Sequence, residues 1–303
     1  MAASRRCGSS CRRHRPGPGS GGYDRPMTAP RLTVALTFDH DALSDSIRRG
    51  DPPVKLSHGE FGPRVGAPRI LALLASRGIP TTWFIPGHTL EAFPDSIAAI
   101  RDGGHELASH GWYHEDFAEL SVDEQRDVLA RSVDALSAAG GGTPPTGWRA
   151  PYWSLGPRTL ELVEAAGFRY DSSLMAGDVA PYRVRSGDRH SVAEGTRWGR
   201  EGALVEVPVY WAMDDWPHFE PAPERGRDGL AAPSKVLEIW TSELRYAYDH
   251  APGGLCMVTM HPECIGRGHR MAMLEQFIDA ASALEGVVFE RLDAVVERFS
   301  AGR

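Results

Sequence analysis

From residue 32 to residue 299, short apolar runs alternate with amphipathic stretches about seven times, without any repeat of sequence. The runs are Leu32–Phe38, Thr81–Ile85, a stretch ending at Ser109, Gly147–Arg149, Phe168–Tyr170, Leu204–Val207, Leu255–Met260 and Gly286–Phe289. Between them, helical patterns open on Pro68, Pro94, Ser121, Pro157, Ser234 and Leu292, and Gly78, Gly103 and Gly167 stop three of them. Ser121-Val-Asp-Glu124 has the spacing of a capping box. Such an order predicts a parallel sheet covered by helices, closed into a barrel or doubly wound. The polar residues choose between the two. Asp39/Asp41, His88, His110/His114, Arg149, Asp171, Asp214/Asp215 and His261 each follow the C-terminal end of an apolar run. In a parallel β/α barrel those ends share one face, where active sites lie. Unrelated solvated residues have no reason to keep that phase, so a barrel is expected.

Two stretches break the rhythm. Ala42–Gly66 carries Gly50, Pro52, Pro53, Gly59, Gly62 and Pro63 and reads as a long loop, expected to cover the mouth of the site or to reach a neighbouring subunit in a homo-oligomer. Gly177–Gly202 reads as irregular. The 303 residues, 42% of them hydrophobic, suffice for one large domain, expected over residues 31–303. The net charge of −7 is uneven: six arginines face Asp24 in residues 1–30, leaving −12 for the rest. An acidic body argues against nucleic acid as the main partner. No apolar run reaches the roughly 18 residues of a membrane span. Arg5-Arg6 is followed by Arg-Pro-Gly-Pro-Gly-Ser-Gly-Gly rather than an apolar leader core, which predicts a cytoplasmic protein. Residues 1–30 are expected to be a disordered tail. With 31 arginines against two lysines, residues 1–26 look like translated GC-rich upstream DNA, and Met27 is the expected start. Cys7, Cys11, Cys256 and Cys264 suggest no disulfide framework, and the Cys7/Cys11/His14 group is set aside as part of a low-complexity tail.

His110 and His114 stand four residues apart, a spacing that lets two imidazoles face one cation. With a carboxylate from Asp39 or Asp41 they make a three-ligand site for Zn²⁺ or a similar ion, open to water. The second carboxylate is then free as a general base, His261 is placed to act as acid, and Arg149 to keep the base ionised. Each has a plainer alternative. A lone Asp more often caps a helix, His261 could bond to backbone, and Tyr152, Trp153 and Trp216 could be core aromatics. A structural metal would usually take four protein ligands, often cysteines, and neither Cys256 nor Cys264 neighbours the histidine pair.

Four segments together, Thr37-Phe38-Asp39-His40-Asp41, Ser109-His110-Gly-Trp-Tyr-His114, Gly147-Trp-Arg149-Ala-Pro151-Tyr152-Trp153 and Met260-His261-Pro262, resemble the successive motifs of the polysaccharide deacetylases, the NodB-homology or carbohydrate esterase family 4 group. The resemblance spans nearly all of residues 31–299. Trp83-Phe-Ile-Pro-Gly-His88-Thr, the segment Gly59–Arg69, Asp171-Ser-Ser-Leu-Met175 and Asp214-Asp215-Trp-Pro217 look most like the intracellular peptidoglycan-deacetylase subgroup related to allantoinases. This implies a distorted, TIM-like (β/α)7 barrel and a zinc-type metal held by Asp41, His110 and His114. Asp39 is then the base and His261 the acid, with Arg149 supporting the base. His88, Tyr152, Trp153, Asp215 and Trp216 become expected substrate contacts. Secreted members place their two aspartates side by side, whereas here His40 separates them. Strand alternation then puts Asp39 and Asp41 on one side and His40 on the other. The implied reaction is hydrolysis of a linear amide, N-deacetylation of a sugar or peptidoglycan-like substrate. The alternatives are opening of a cyclic amide or imide, and a non-catalytic carbohydrate-binding barrel. That last reading expects a motif residue to be replaced, and none is.

Overall fold

The computed structural model describes residues 30–221 and 229–302. The tail with Met27 and the Cys7/Cys11/His14 group lies outside the described residues. The strands are β1 (Leu32–Asp39), β2 (Thr82–Ile85), β3 (Glu106–Ser109), β4 (Gly147–Trp148), β5 (Tyr170–Asp171), β6 (Tyr182–Ser186), β7 (Arg189–Ser191), β8 (Gly195–Arg197), β9 (Arg200–Glu206), β10 (Gly254–Met260) and β11 (Val287–Phe289). Parallel ladders join them in the order β10-β1-β2-β3-β4-β5-β9, with β6 antiparallel on β9 and β11 beside the start of β1. The chain leaving β9 returns to the other end of this path. Asp214 bridges Thr259 in parallel, and the Asp215 N–H donates to the Thr259 carbonyl at 3.1 Å. The sheet thus curls round into the expected distorted (β/α)7 barrel.

Strand alternation sorts β1 between two cores. Leu32, Val34, Leu36 and Phe38 face outward and pack with Ile70, Leu74, Trp240 and Phe277 of the surrounding helices. Ala35 faces inward with Phe84, Ala108, Tyr170, Val205 and Met257, and Leu292, Val295 and Val296 belong to the same cluster. Each large side chain buried in these layers stabilises the fold by about 1.5–3 kcal/mol. The inward parity of Ala35 carries on through Thr37 to Asp39, which delivers the first carboxylate to the end of the barrel.

Several local expectations hold, and others need correction. The Ser121 capping box is present, with the Glu124 N–H donating to Ser121 Oγ and the Ser121 N–H donating to the Glu124 carboxylate. Ser234 does not cap its helix, which begins at Pro233 after Ala232. Gly177–Gly202 is not irregular, since it forms β6, β7, β8 and the start of β9. The largest difference is Ala42–Gly66. It folds as helices Ser44–Arg49 and Pro53–Phe61 and a π-helical turn, Gly62–Gly66, running into the helix Ala67–Arg77. Gly50 ends the first helix in the left-handed region (φ +66°), whereas Gly59, Gly62 and Gly66 serve close approach rather than turning. A Cβ on Gly59 would lie 2.2 Å from the Ala42 carbonyl oxygen, and one on Gly66 2.1 Å from that of Pro262. Among the described residues no helix is long and apolar enough to cross a membrane.

Candidate active site

A cavity of about 540 Å³ opens at the C-terminal ends of the barrel strands. Asp39 and Asp41 both line it, while His40 points the other way and bonds through Nε2 to Ser96 Oγ at 3.0 Å. Burial pushes the His40 imidazole down to about 3, so it packs as a neutral ring. β3 ends at Ser109 and hands His110 to the cavity. Gly111 (φ +72°) then turns the chain, and His114 adopts φ +57°, bringing the two imidazole centroids to 5.0 Å. The N–H groups of Trp112 and Tyr113 donate to the Glu115 carboxylate, both at 2.9 Å, which pins this turn. Left-handed backbone is uncommon outside glycine and costs about 1–3 kcal/mol per residue. Of the non-glycine residues described in that region, Ala42, His114, Tyr152 and Trp153 all line this cavity.

Ligand-forming atoms of Asp41, His110 and His114 lie within 4.8 Å of one another, and all three residues are buried. His110 Nε2 is 3.5 Å from one Asp41 oxygen, and His114 Nε2 is 3.4 Å from the other. His110 Nδ1 donates to the Arg149 carbonyl at 2.8 Å, which leaves the Nε2 lone pair facing Asp41. Burial holds the His110 ring down at about 4 and the His114 ring well below its usual value, so both are neutral donors at pH 7. Asp41 is short of positive charge: burial, with Asp39, Asp45 and Asp214 close by, pushes it up to about 8 against the pull of His261. Its buried Oδ1 has no hydrogen-bond partner. Two neutral imidazoles and an unpaired carboxylate oxygen fit a metal ion.

Asp39 has the opposite surroundings. Its Oδ1 accepts from Arg149 Nη1 at 2.6 Å, and that same nitrogen donates to Thr37 Oγ1 at 3.1 Å. Arg149 also donates through Nε to the Ser172 carbonyl at 3.0 Å and lies over the Phe84 ring at 3.9 Å. Burial works to raise the Asp39 pKa, but Arg149, followed by His110 and His261, more than offsets it and holds the carboxyl below its usual value. Asp39 Oδ2 faces the cavity, 3.7 Å from His110 Nε2 and 4.0 Å from His261 Nε2. Across from it, His261 Nδ1 donates to Asp215 Oδ1 at 2.7 Å, and the His261 backbone N–H donates to Asp215 Oδ2 at 3.1 Å. Burial lowers the His261 pKa, yet Asp215, then Asp214 and Asp41, raise it well above its usual value. The site therefore pairs an ionised carboxylate with a protonated imidazole, each oriented by a buried partner.

The polysaccharide deacetylase description matches residues 27–170. A peptidoglycan deacetylase of Helicobacter pylori is 33% identical over 287 residues, which cover 89% of this chain and 97% of that protein. The chain belongs to the polysaccharide deacetylase family. A Mycobacterium smegmatis structure assigned to the same family is 35% identical with a TM-score of 0.78, covering 92% of this chain and 93% of that one. The PuuE allantoinase structure shares the fold, with a TM-score of 0.75 at 23% identity, over 92% of this chain and 95% of that one. Polysaccharide deacetylases are hydrolases of carbon–nitrogen bonds other than peptide bonds, and the family is metal-dependent in general.

In this deacetylase Tyr152, Trp153 and Trp216 line the cavity, together with Trp211. The Tyr152 hydroxyl donates to Asp45 and accepts from Arg48 at 2.8 Å, and its ring meets His114 edge-on at 4.4 Å. Two expected substrate contacts lie elsewhere. His88 is outside the cavity lining, because its N–H and that of Gly87 are tied to the Trp112 and Gly111 carbonyls, and its ring stacks on Tyr113. Asp215 is fully buried beneath His261 and orients that ring instead of touching the cavity. Sequence reasoning missed Trp211, His58 and Glu263. His58 and Glu263 belong to the Gly-rich stretch and to the helix Pro262–Ile265, which meet only in the folded chain.

Proposed function

We propose that this chain is a metal-dependent N-deacetylase of a small N-acetylated sugar, with residues 31–303 as one catalytic domain and Asp41, His110 and His114 as ligands of a Zn²⁺-type ion. The observation that carries this reading is the opposition, across one cavity, of the Arg149-held Asp39 and the Asp215-held His261. A bound ion would supply Lewis acidity towards the amide carbonyl and make water a stronger nucleophile. Asp39 takes a proton from the attacking water through Oδ2, since Oδ1 is engaged by Arg149. His261 Nε2–H donates to the departing nitrogen as the C–N bond breaks, giving acetate and a free amine. Asp215 keeps the His261 ring in the orientation that puts Nε2 in the cavity. A cytoplasmic setting fits the free, buried Cys256 and Cys264, which ask for no oxidising compartment.

Ala42, Asp45, Ser46, Arg49, Lys55 and His58 form one side of the cavity, so the stretch 42–66 stands beside the strand ends as a set of helices. This supports a small substrate. Acetate release should be faster from N-acetylglucosamine and its dimer than from chitin or intact peptidoglycan. Efficient turnover of the polymers would count against the small-substrate claim. Ring opening of hydantoin without acetate release from any sugar would replace the deacetylase reading with the cyclic-amide one.

The dyad gives a further expectation. Asp215→Asn removes the charge that raises the His261 pKa. The alkaline limb of the kcat profile should move to lower pH, with bound metal unchanged. An unmoved limb would show that His261 is not the acid.

A further inference from the structure

Glu263 is 2% exposed and lines the cavity, yet its Oε2 has no hydrogen-bond partner. Buried polar groups are normally paired, because leaving one unpaired costs stability. The backbone makes room for this one. Oε2 lies over Gly62, where a Cβ would fall 2.8 Å from it, at the start of the π-helical turn Gly62–Gly66. Single π-turns recur at functional sites. Glu263 belongs to neither group of ligand-forming atoms found within 4.8 Å of one another among the described residues.

A second unpartnered atom lies in the same wall. His58 Nδ1 accepts from Arg267 Nη2 at 3.2 Å, so in the neutral ring the proton sits on Nε2. Burial keeps His58 below its usual pKa and so neutral. That Nε2–H is buried without a hydrogen-bond partner and stands 3.6 Å from the Glu220 carboxylate, beyond bonding distance. The cavity also offers apolar faces, with Trp153 against Trp211 at 4.2 Å and Trp216 against His261 at 5.0 Å. Flat aromatic faces with a polar edge match a pyranose, which has apolar C–H faces and hydroxyl edges.

Resting on the deacetylase reading, we propose that Glu263 and His58 form a recognition station for the sugar ring, in which the Glu263 carboxyl takes a ring hydroxyl near the N-acetyl group and His58 Nε2–H donates to a neighbouring oxygen. Neither residue takes part in bond breaking. Both atoms are closed to solvent in the free chain, so substrate reaches them by a small rotation of each side chain into the cavity, and their pairing is completed only then.

Glu263→Met keeps the side-chain length and removes the carboxyl. Three readouts separate the roles: KM and kcat for acetate release from N-acetylglucosamine and its dimer, bound zinc per chain, and Tm without substrate. KM is expected to rise about tenfold, the scale of one lost hydrogen bond. Bound zinc and kcat should keep their wild-type values. Tm should rise by about 2–4 °C, because an unpaired buried carboxyl is gone. Glu263→Gln, which still hydrogen-bonds, should recover most of the KM. A lower Tm would make Glu263 a structural residue, lost zinc would make it a ligand, and an unchanged KM would remove it from substrate; each overturns the proposal. If the wild type releases no acetate from either sugar, the deacetylase reading fails on its own. Glu263 is then judged by KM for hydantoin and by Tm, with the same expected directions.

Discussion

Asp39→Asn is expected to lower kcat by about 10²–10⁴-fold, the usual loss on removing a general base, while zinc stays bound at the wild-type level. Asp39 Oδ1 is occupied by Arg149, and only Oδ2 faces the cavity. An amide there cannot accept a proton from water, and added metal cannot restore that ability. Asp41→Asn should fail differently. Asp41 supplies the anionic member of the ligand group with His110 and His114, and its Oδ1 has no protein partner. A neutral amide oxygen weakens the hold on the cation, so bound zinc should fall and excess zinc should restore part of the activity. His110→Ala and His114→Ala should lose zinc and activity together with the fold intact. Zinc titration of kcat for the two aspartate variants decides the matter. If Asp39→Asn is the variant that metal rescues, the two carboxylates have exchanged roles.

That Asp39 and Asp41 face one side and His40 the other is legible in the sequence, because strand alternation acts at the shortest range a sequence can express. Thr37, Asp39 and Asp41 share one parity, and His40 has the other. The barrel was legible for a related reason, since polar residues follow seven of the eight apolar runs in the same phase. What stayed hidden depends on partners distant in the chain. Gly59, Gly62 and Gly66 look like turn signals, but two of the three meet a segment about two hundred residues away, where Glu263 and Pro262 leave no space for a Cβ. Asp215 looks like a pocket residue because it neighbours Trp216. Its position under His261 follows from the ladder contact of this segment with Thr259, a cross-strand pairing that local pattern does not reveal. His88 was misplaced likewise, as the turn after β2 is tied to the His110–His114 loop by backbone bonds. β6, β7 and β8 escaped notice because they are short and mostly exposed, with no apolar run to mark them.

Arg149→Met should be costly in stability as well as in rate. Arg149 is fully buried, and its removal strands Asp39 as an unpaired buried carboxylate. Breaking one partner out of a buried pair costs about 3–5 kcal/mol. The sign with pH follows from the direction of the Asp39 shift. The folded-state pKa lies below the ordinary value of 3.8, so in the wild type the pair stabilises the fold above that value. This stabilisation is lost as pH falls through the lowered folded value. Without Arg149, burial is opposed only by His110 and His261, and the Asp39 pKa rises. The variant should therefore be most destabilised near neutral pH, with the gap to wild type closing as acid protonates the stranded carboxyl. The acidic limb of its rate profile should move upward, because the base now needs a higher pH to be ionised. Arg149→Lys keeps a charge but not the fork that reaches Asp39, Thr37 and Ser172 together, and should fall between the two. Thermal melts across pH, with kcat profiles alongside, test both halves. An acidic limb that stays in place in Arg149→Met would show that Arg149 does not set the ionisation of the base, whatever it contributes to the fold.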